Sequence, residues 1–278
     1  MAIVQMQRIN ICALKKNRKA ILERLQELGA MEIDIQLEDD NLCEKQDVAS
    51  SRALFERRAQ TADQALAILN IYVPEKKGML DSLAGKPLVE KELFEKAAEN
   101  QDQYMATASR IVTLDKQIAE SKAAVLKVQN QVEALAPWLS LTVPVSYTGT
   151  QKTAVLIGTM PNPQDQQSIL NLLAGAVPDV EAVDVELIST DKDFTYLAVI
   201  CMKQDAGKVE EVLRTGGFSK PSSPVQKIPE EYKKDLEAEI AKTQEQVKQL
   251  ESELAECAVS RQDLELISDY YRTRAEKY

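Results

Sequence analysis

Within the first forty residues the apolar positions change period twice. Ile9, Ile11 and Ala13 alternate, Ile21, Leu25 and Leu28 recur at helical spacing up to Gly29, and residues 31–37 (MEIDIQL) alternate apolar with acidic side chains. This pattern predicts a strand, a helix and a second strand with one wet face. Over 44–72, Val48, Phe55, Ala62, Leu66 and Leu69 keep a three-and-four spacing with Arg, Gln and Asp between them, which predicts a long amphipathic helix. The stretch PEKKGMLDSLAGKP at 74–87 then stops helix propagation and allows a restart at Pro87.

The restarted helix is predicted to run to about Pro137. From Leu114 its seam reads Leu114, Ile118, Ser121, Val125, Val128, Val132, Leu135 and Leu139, the alternating steps of a heptad. About 50 helical residues at 1.5 Å rise make a rod of roughly 75 Å, too long for one compact core. Between Pro144 and Pro229 the pattern turns globular: TAVLIGTMP reads as a strand, Asn162 and Pro163 open a helix through Leu173, and VEAVDVELI and FTYLAVICM read as strands. A short helix over 207–215, closed by Gly216 and Gly217, completes a split βαβ lobe of the ferredoxin-like kind. A linker, SKPSSPVQK, leads to Pro229, with Glu230 and Glu231 in the first turn of a returning helix. Its seam is Leu236, Ile240, Thr243, Val247, Leu250, Leu254, Cys257, Arg261 and Leu264, broken by Thr243 and Arg261. The helix ends in YYRTRAEKY with no cap while Tyr271 still continues the seam, so the sequence predicts a piece cut from a longer protein.

Composition narrows what such rods and lobes can do. Of the 278 residues 44% are hydrophobic, enough for real cores, while aromatic residues are 5% and charged residues 28%, a balance suited to long solvated helices. A net charge of −10 disfavours nucleic-acid binding, because it repels phosphates instead of releasing their counterions. The short basic run Lys15, Lys16, Arg18 and Lys19 is read as a solvated helix start. Cys12, Cys43, Cys201 and Cys257 lack metal-binding spacing and the chain has no His, so neither a metal nor another cofactor is expected. MAIVQMQRIN is unlike a signal peptide, and the apolar run at 196–202 is far shorter than the ~20 residues that span a bilayer. A cytoplasmic chain with reduced thiols and no membrane span is expected.

Catalytic chemistry finds no footing. The glycines are isolated, with no phosphate-binding loop, and without His a Ser or Cys nucleophile lacks its usual base. The acid pairs Asp39 and Asp40, and Glu230 and Glu231, are read as surface acids and helix-end complements. Gly158 is read as a strand exit before a helix, with ligand contact as the alternative. No catalytic, cofactor-binding or metal residue is therefore expected.

The combination of MAIVQMQRINICALKKNRKAILERLQELGAMEID, two long helices and VLIGTMPNPQDQQSILNLL resembles the cytoplasmic N-terminal half of subunit I of V-type and archaeal-type ATPases, called subunit a in eukaryotes. In that family a strand with a basic residue, here near Arg8, leads to a helix, a glycine and a strand, as Leu28, Gly29 and residues 31–37 do; Gly158 to Pro161 match a second typical turn. The resemblance implies an α+β fold, an elongated coiled-coil bundle joining two small α/β lobes. Residues 1–40 would form an incomplete membrane-proximal lobe, 41–143 a long helical hairpin, 144–228 the distal lobe and 229–278 the returning helix. It also implies a non-catalytic stator arm on the cytoplasmic side of the cell membrane, holding peripheral-stalk subunits E and G against the ion-translocating sector. Family members continue into a membrane domain, and none of its residues is matched here. An unrelated coiled-coil scaffold, or a small-molecule sensor using the 144–228 lobe, are the alternatives.

Overall fold

From residue 48 onward the periodicities become elements in the order expected, with breaks at places the pattern does not mark. The structure is a computed structural model that describes residues 6–29, 31–32, 48–75, 88–222 and 224–276. Its helices are α1 (Arg18–Leu28), α2 (Ala49–Tyr72), α3 (Lys91–Glu99) and α4 (Gln101–Leu135), then β1 (Thr153–Pro161), α5 (Gln166–Ala176), β2 (Val183–Thr190), β3 (Phe194–Met202), α6 (Ala206–Thr215), α7 (Pro229–Glu256) and α8 (Arg261–Glu276). Long helices with a small antiparallel sheet make the chain α+β. Two compact units divide it, Met1–Val112 with Ala255–Tyr278, and Thr113–Leu254.

In the first unit α2 and α8 run antiparallel. Arg58 meets Tyr271, Asp63 meets Ser268, and Asn70 and Val73 meet Arg261, so partners descend along α8 as they climb α2. Small buried side chains at Ala59, Ala62 and Ala65 let the two helices approach closely. Tyr271 is wholly buried, and its hydroxyl accepts from Arg58 Nη1 at 3.0 Å and donates to Gln101 Oε1 at 3.2 Å. That satisfies a group whose unpaired burial would be costly. Phe55 and Tyr270 pack face and edge against it, Phe94 meets Tyr270 edge-on, and Arg274 lies over the Phe55 ring and pairs with Glu23 of α1 at 3.2 Å.

Residues 6–14 depart from the expected strand. They form no ladder, and Ile9 and Ile11 are 58% and 52% exposed. Alternation becomes a strand only when a second strand takes its backbone bonds. The expected partner over 31–37 lies, beyond residues 31 and 32, outside the described residues, as do Asp39, Asp40, Cys43 and most of the 74–87 connection.

The predicted helix from Pro87 is two helices. At Asn100 the side-chain amide donates to the Lys96 carbonyl at 3.1 Å, ending α3, while its own carbonyl accepts from Tyr104 N–H and starts α4. The returning helix is likewise interrupted by a 3-10 turn at Cys257–Ser260, immediately before Arg261.

In the second unit the heptads show as burial. Leu114, Ile118, Val125 and Leu135 of α4 are buried, as are Leu236, Val247 and Leu254 of α7, and Lys122 pairs with Glu251 at 2.8 Å across the two helices. Between them in sequence lies the lobe. β3 pairs antiparallel with both β1 and β2, so β1 and β2 are parallel with β3 inserted: the expected split βαβ. One face packs Leu156, Met160, Val185, Leu197 and Val199 against Ile169 and Leu173 of α5 and Val209 and Leu213 of α6. The opposite face is covered by Trp138, Leu141 and Val145 over Ile157 and Ala198. Beyond α6 the chain returns beside β1, where Thr159 and Ser219 exchange backbone bonds of 2.9 Å.

Candidate interaction surface

Most residues singled out from the sequence are structural once placed. At Gly158 an added Cβ would stand 2.4 Å from the Phe218 ring and 2.5 Å from the Ser219 carbonyl oxygen, so the missing side chain admits the returning strand and leaves no room for a ligand. Glu230 pairs with Lys234 at 3.0 Å in the first turn of α7, and Glu231 is exposed beside it. Lys16 and Lys19 are exposed and Arg18 is half-buried at the start of α1. Cys12 is exposed and Cys257 half-buried; Cys201 lies in the lobe core, where burial pushes its thiol pKa up. The structure therefore brings none of these residues together.

What it does bring together is the end of the lobe where β1 turns into α5 and β2 turns into β3. Asn162 donates its backbone N–H to the Asp193 carbonyl at 2.7 Å. Thr195, fully buried, accepts from Gln164 N–H at 2.8 Å and donates to the Asn162 carbonyl at 2.9 Å. Two loops distant in sequence are thus tied into one fixed surface. The helix starts later than the Asn162 and Pro163 signal suggests. Asn162 holds a left-handed φ of 63°, and Asp165 is the residue that caps α5, accepting from Ser168 N–H at 2.8 Å.

Two carboxyls on this end, Asp165 and Asp191, have pKa values held below the ordinary one. That of Asp165 is lowered by the Ser168 hydroxyl and amide, and that of Asp191 by the amides of Phe194 and Asp193 and then by the Tyr196 hydroxyl. Phe194, whose N–H donates to Asp191 at 2.7 Å, has 45% of its surface exposed. A pre-ordered loop surface with fixed negative charge and an exposed aromatic ring is suited to gripping another protein.

The free edge of β2 is closed to strand addition at its centre. The outward amide of Val185 is taken by the Asp184 carboxylate at 2.9 Å and its carbonyl by Gln166 Nε2 at 2.6 Å; Ser140 takes the carbonyl of Ile188, the bulged residue, at 3.2 Å. Beside α5 lies an open depression of about 210 Å³ floored by Leu170, Leu173, Val177 and Val183, too shallow to enclose a small molecule. Among the described residues no helix is long and apolar enough to cross a membrane.

No family model matches the chain, and no curated protein does. In structure the chain is similar to the cytoplasmic N-terminal domain of subunit I, homolog of subunit a, of V-ATPase, at a TM-score of 0.48 and 18% sequence identity, over 94% of this chain and 82% of that one. A likeness of that degree leaves function to the residues themselves.

Proposed function

We propose that the chain is the cytoplasmic stator arm of a rotary V-type or archaeal-type ATPase, a non-catalytic link between the peripheral stalks, subunits E and G, and the ion-translocating membrane sector. The observation that supports this is the insertion of a split βαβ lobe between α4 and α7, whose buried positions follow a heptad. Helices paired along such a seam resist stretching and bending, and the lobe offers a fixed surface for a partner. In this reading residues 41–143 and 229–278 form the rod, 144–228 the stalk-docking lobe, and 1–40 part of a second lobe nearer the membrane.

The lobe end with Asp165, Asp191 and Phe194 is the docking site in this reading, and its charge calls for a basic stalk surface. Each contact would be modest, with hold coming from several contacts at once. Calorimetry of the whole chain against a purified stalk heterodimer of E and G should show binding that weakens as salt rises. Phe194→Ala should weaken it further without lowering the melting temperature. Absence of binding at low salt by the folded chain would remove the stator reading.

A further inference from the structure

Arg261 breaks the apolar seam of the returning helix, and it is the residue the stator reading leaves unused. Its side chain is 7% exposed, a cation inside the first unit. Nε pairs with Glu75 at 3.2 Å, Nη1 donates to Asn70 Oδ1, and Nη2 donates to the carbonyls of Val73 at 2.5 Å and Leu69 at 3.4 Å. Every acceptor belongs to the C-terminal end of α2 or to the residues just past it.

That location matters because of where a helix keeps free carbonyls. Along its length each carbonyl is bonded to the amide four residues on, as Leu69 still is to Val73 N–H at 2.7 Å, and the carbonyls past its last residue, Val73 among them, lie outside that ladder. A guanidinium on α8 can therefore find its backbone acceptors in one alignment with α2 and in no other. The apolar contacts are less selective. Ala59, Ala62 and Ala65 repeat every three residues, so a slip of about one turn replaces alanine by alanine. Unlike a sheet, a helix pair has no backbone ladder to set its register.

We propose that Arg261 is the register lock of the α2 and α8 pair. Beside the Asp63–Ser268 and Arg58–Tyr271 bonds, it fixes the axial alignment of two helices whose small apolar contacts alone would accept neighbouring alignments, as single buried polar residues do in coiled coils. The 3-10 turn at Cys257–Ser260 directly precedes it and delivers the start of α8 to the end of α2.

Paired spin labels read the alignment directly. Gln60→Cys and Glu265→Cys place labels on exposed positions of α2 and α8, in a chain whose four natural cysteines are replaced by alanine. With Arg261 present, pulsed electron resonance should give one narrow distance. Arg261→Met, which keeps length and apolar volume but loses the fork, should retain helical circular dichroism and add a second distance displaced by up to about 5.4 Å, one helical turn. Arg272→Met, which removes the exposed pair with Asp63 at 2.6 Å, is the control and should leave one distance. If Arg261→Met does not fold, Arg261→Lys, which keeps the charge and loses the fork, takes its place with the same expectation. A single unchanged distance in the folded variant overturns the proposal. So does a second distance that appears equally in Arg272→Met, or failure of both Arg261 variants to fold, which would make the residue a stability determinant instead.

Discussion

The lobe and the α2 and α8 unit solve the same alignment problem in opposite ways. In the lobe the core is apolar on both faces of the sheet, with Thr195 its buried polar residue among those described, and it ties loops, not strands. In the helical unit Arg261, Ser268 and the Tyr271 hydroxyl are buried, and each bonds another helix. A sheet is aligned by its backbone ladder, so its side chains need only exclude water. Helices spend their backbone bonds internally, so alignment between them falls to side chains, and polar ones carry direction.

The largest effect should come from Tyr271→Ala. It empties a fully buried aromatic site and strips Arg58 and Gln101 of a partner, so urea unfolding should show a loss of about 3–5 kcal/mol. A loss under ~1 kcal/mol would mean the helical unit is held chiefly by its alanine contacts. Gly158→Ala tests the lobe where β1 meets the chain returning from α6 and Phe218 must move; overpacking should cost about 1–3 kcal/mol. Ser268→Ala removes the 2.6 Å bond to Asp63, which keeps its Arg272 partner, and should cost about 1 kcal/mol.

Acid should separate the two regions. Among the described residues the carboxylates with lowered pKa, Asp165, Asp179, Asp191 and Glu210, all lie in the lobe. Each is lower folded than unfolded, so the stability it adds is complete above the ordinary value, 3.8 for the aspartates and 4.5 for the glutamate, and is lost as pH falls through the folded value. Hydrogen exchange below about pH 4 should therefore open the lobe before α2 and α8. Opening in the reverse order would contradict this. The smallest effect belongs to Lys208→Ala, which breaks an exposed 2.6 Å pair with Asp179 and should leave the melting temperature within error.

The same contrast explains what could be read from the sequence. Strands β1 and β3 match the expected segments to the residue, and the split βαβ order follows from local punctuation, because apolar runs and the turn residues that bound them are written within a few positions. The heptads of α4 and α7 were legible as burial for the same reason. The breaks at Asn100 and at Cys257–Ser260 were not, since the second serves a bond between residues about 190 positions apart, as the separation of Arg261 and Asn70 shows. Nor was the tied lobe end, where Asn162 reads as a helix opener and becomes a left-handed corner because Thr195, 33 residues away, holds its carbonyl.

Trp138 closes the second face of the sheet, its ring meeting Tyr196 edge-on at 5.1 Å, and the chain has no other tryptophan. The protein thus carries an optical probe of its own. Light at the long-wavelength edge of tyrosine absorption excites that indole alone, and its emission reports the state of the lobe without any label. Circular dichroism, dominated by the long helices, reports the rest. Recording both during a single titration would tell whether lobe and helices let go together or one after the other.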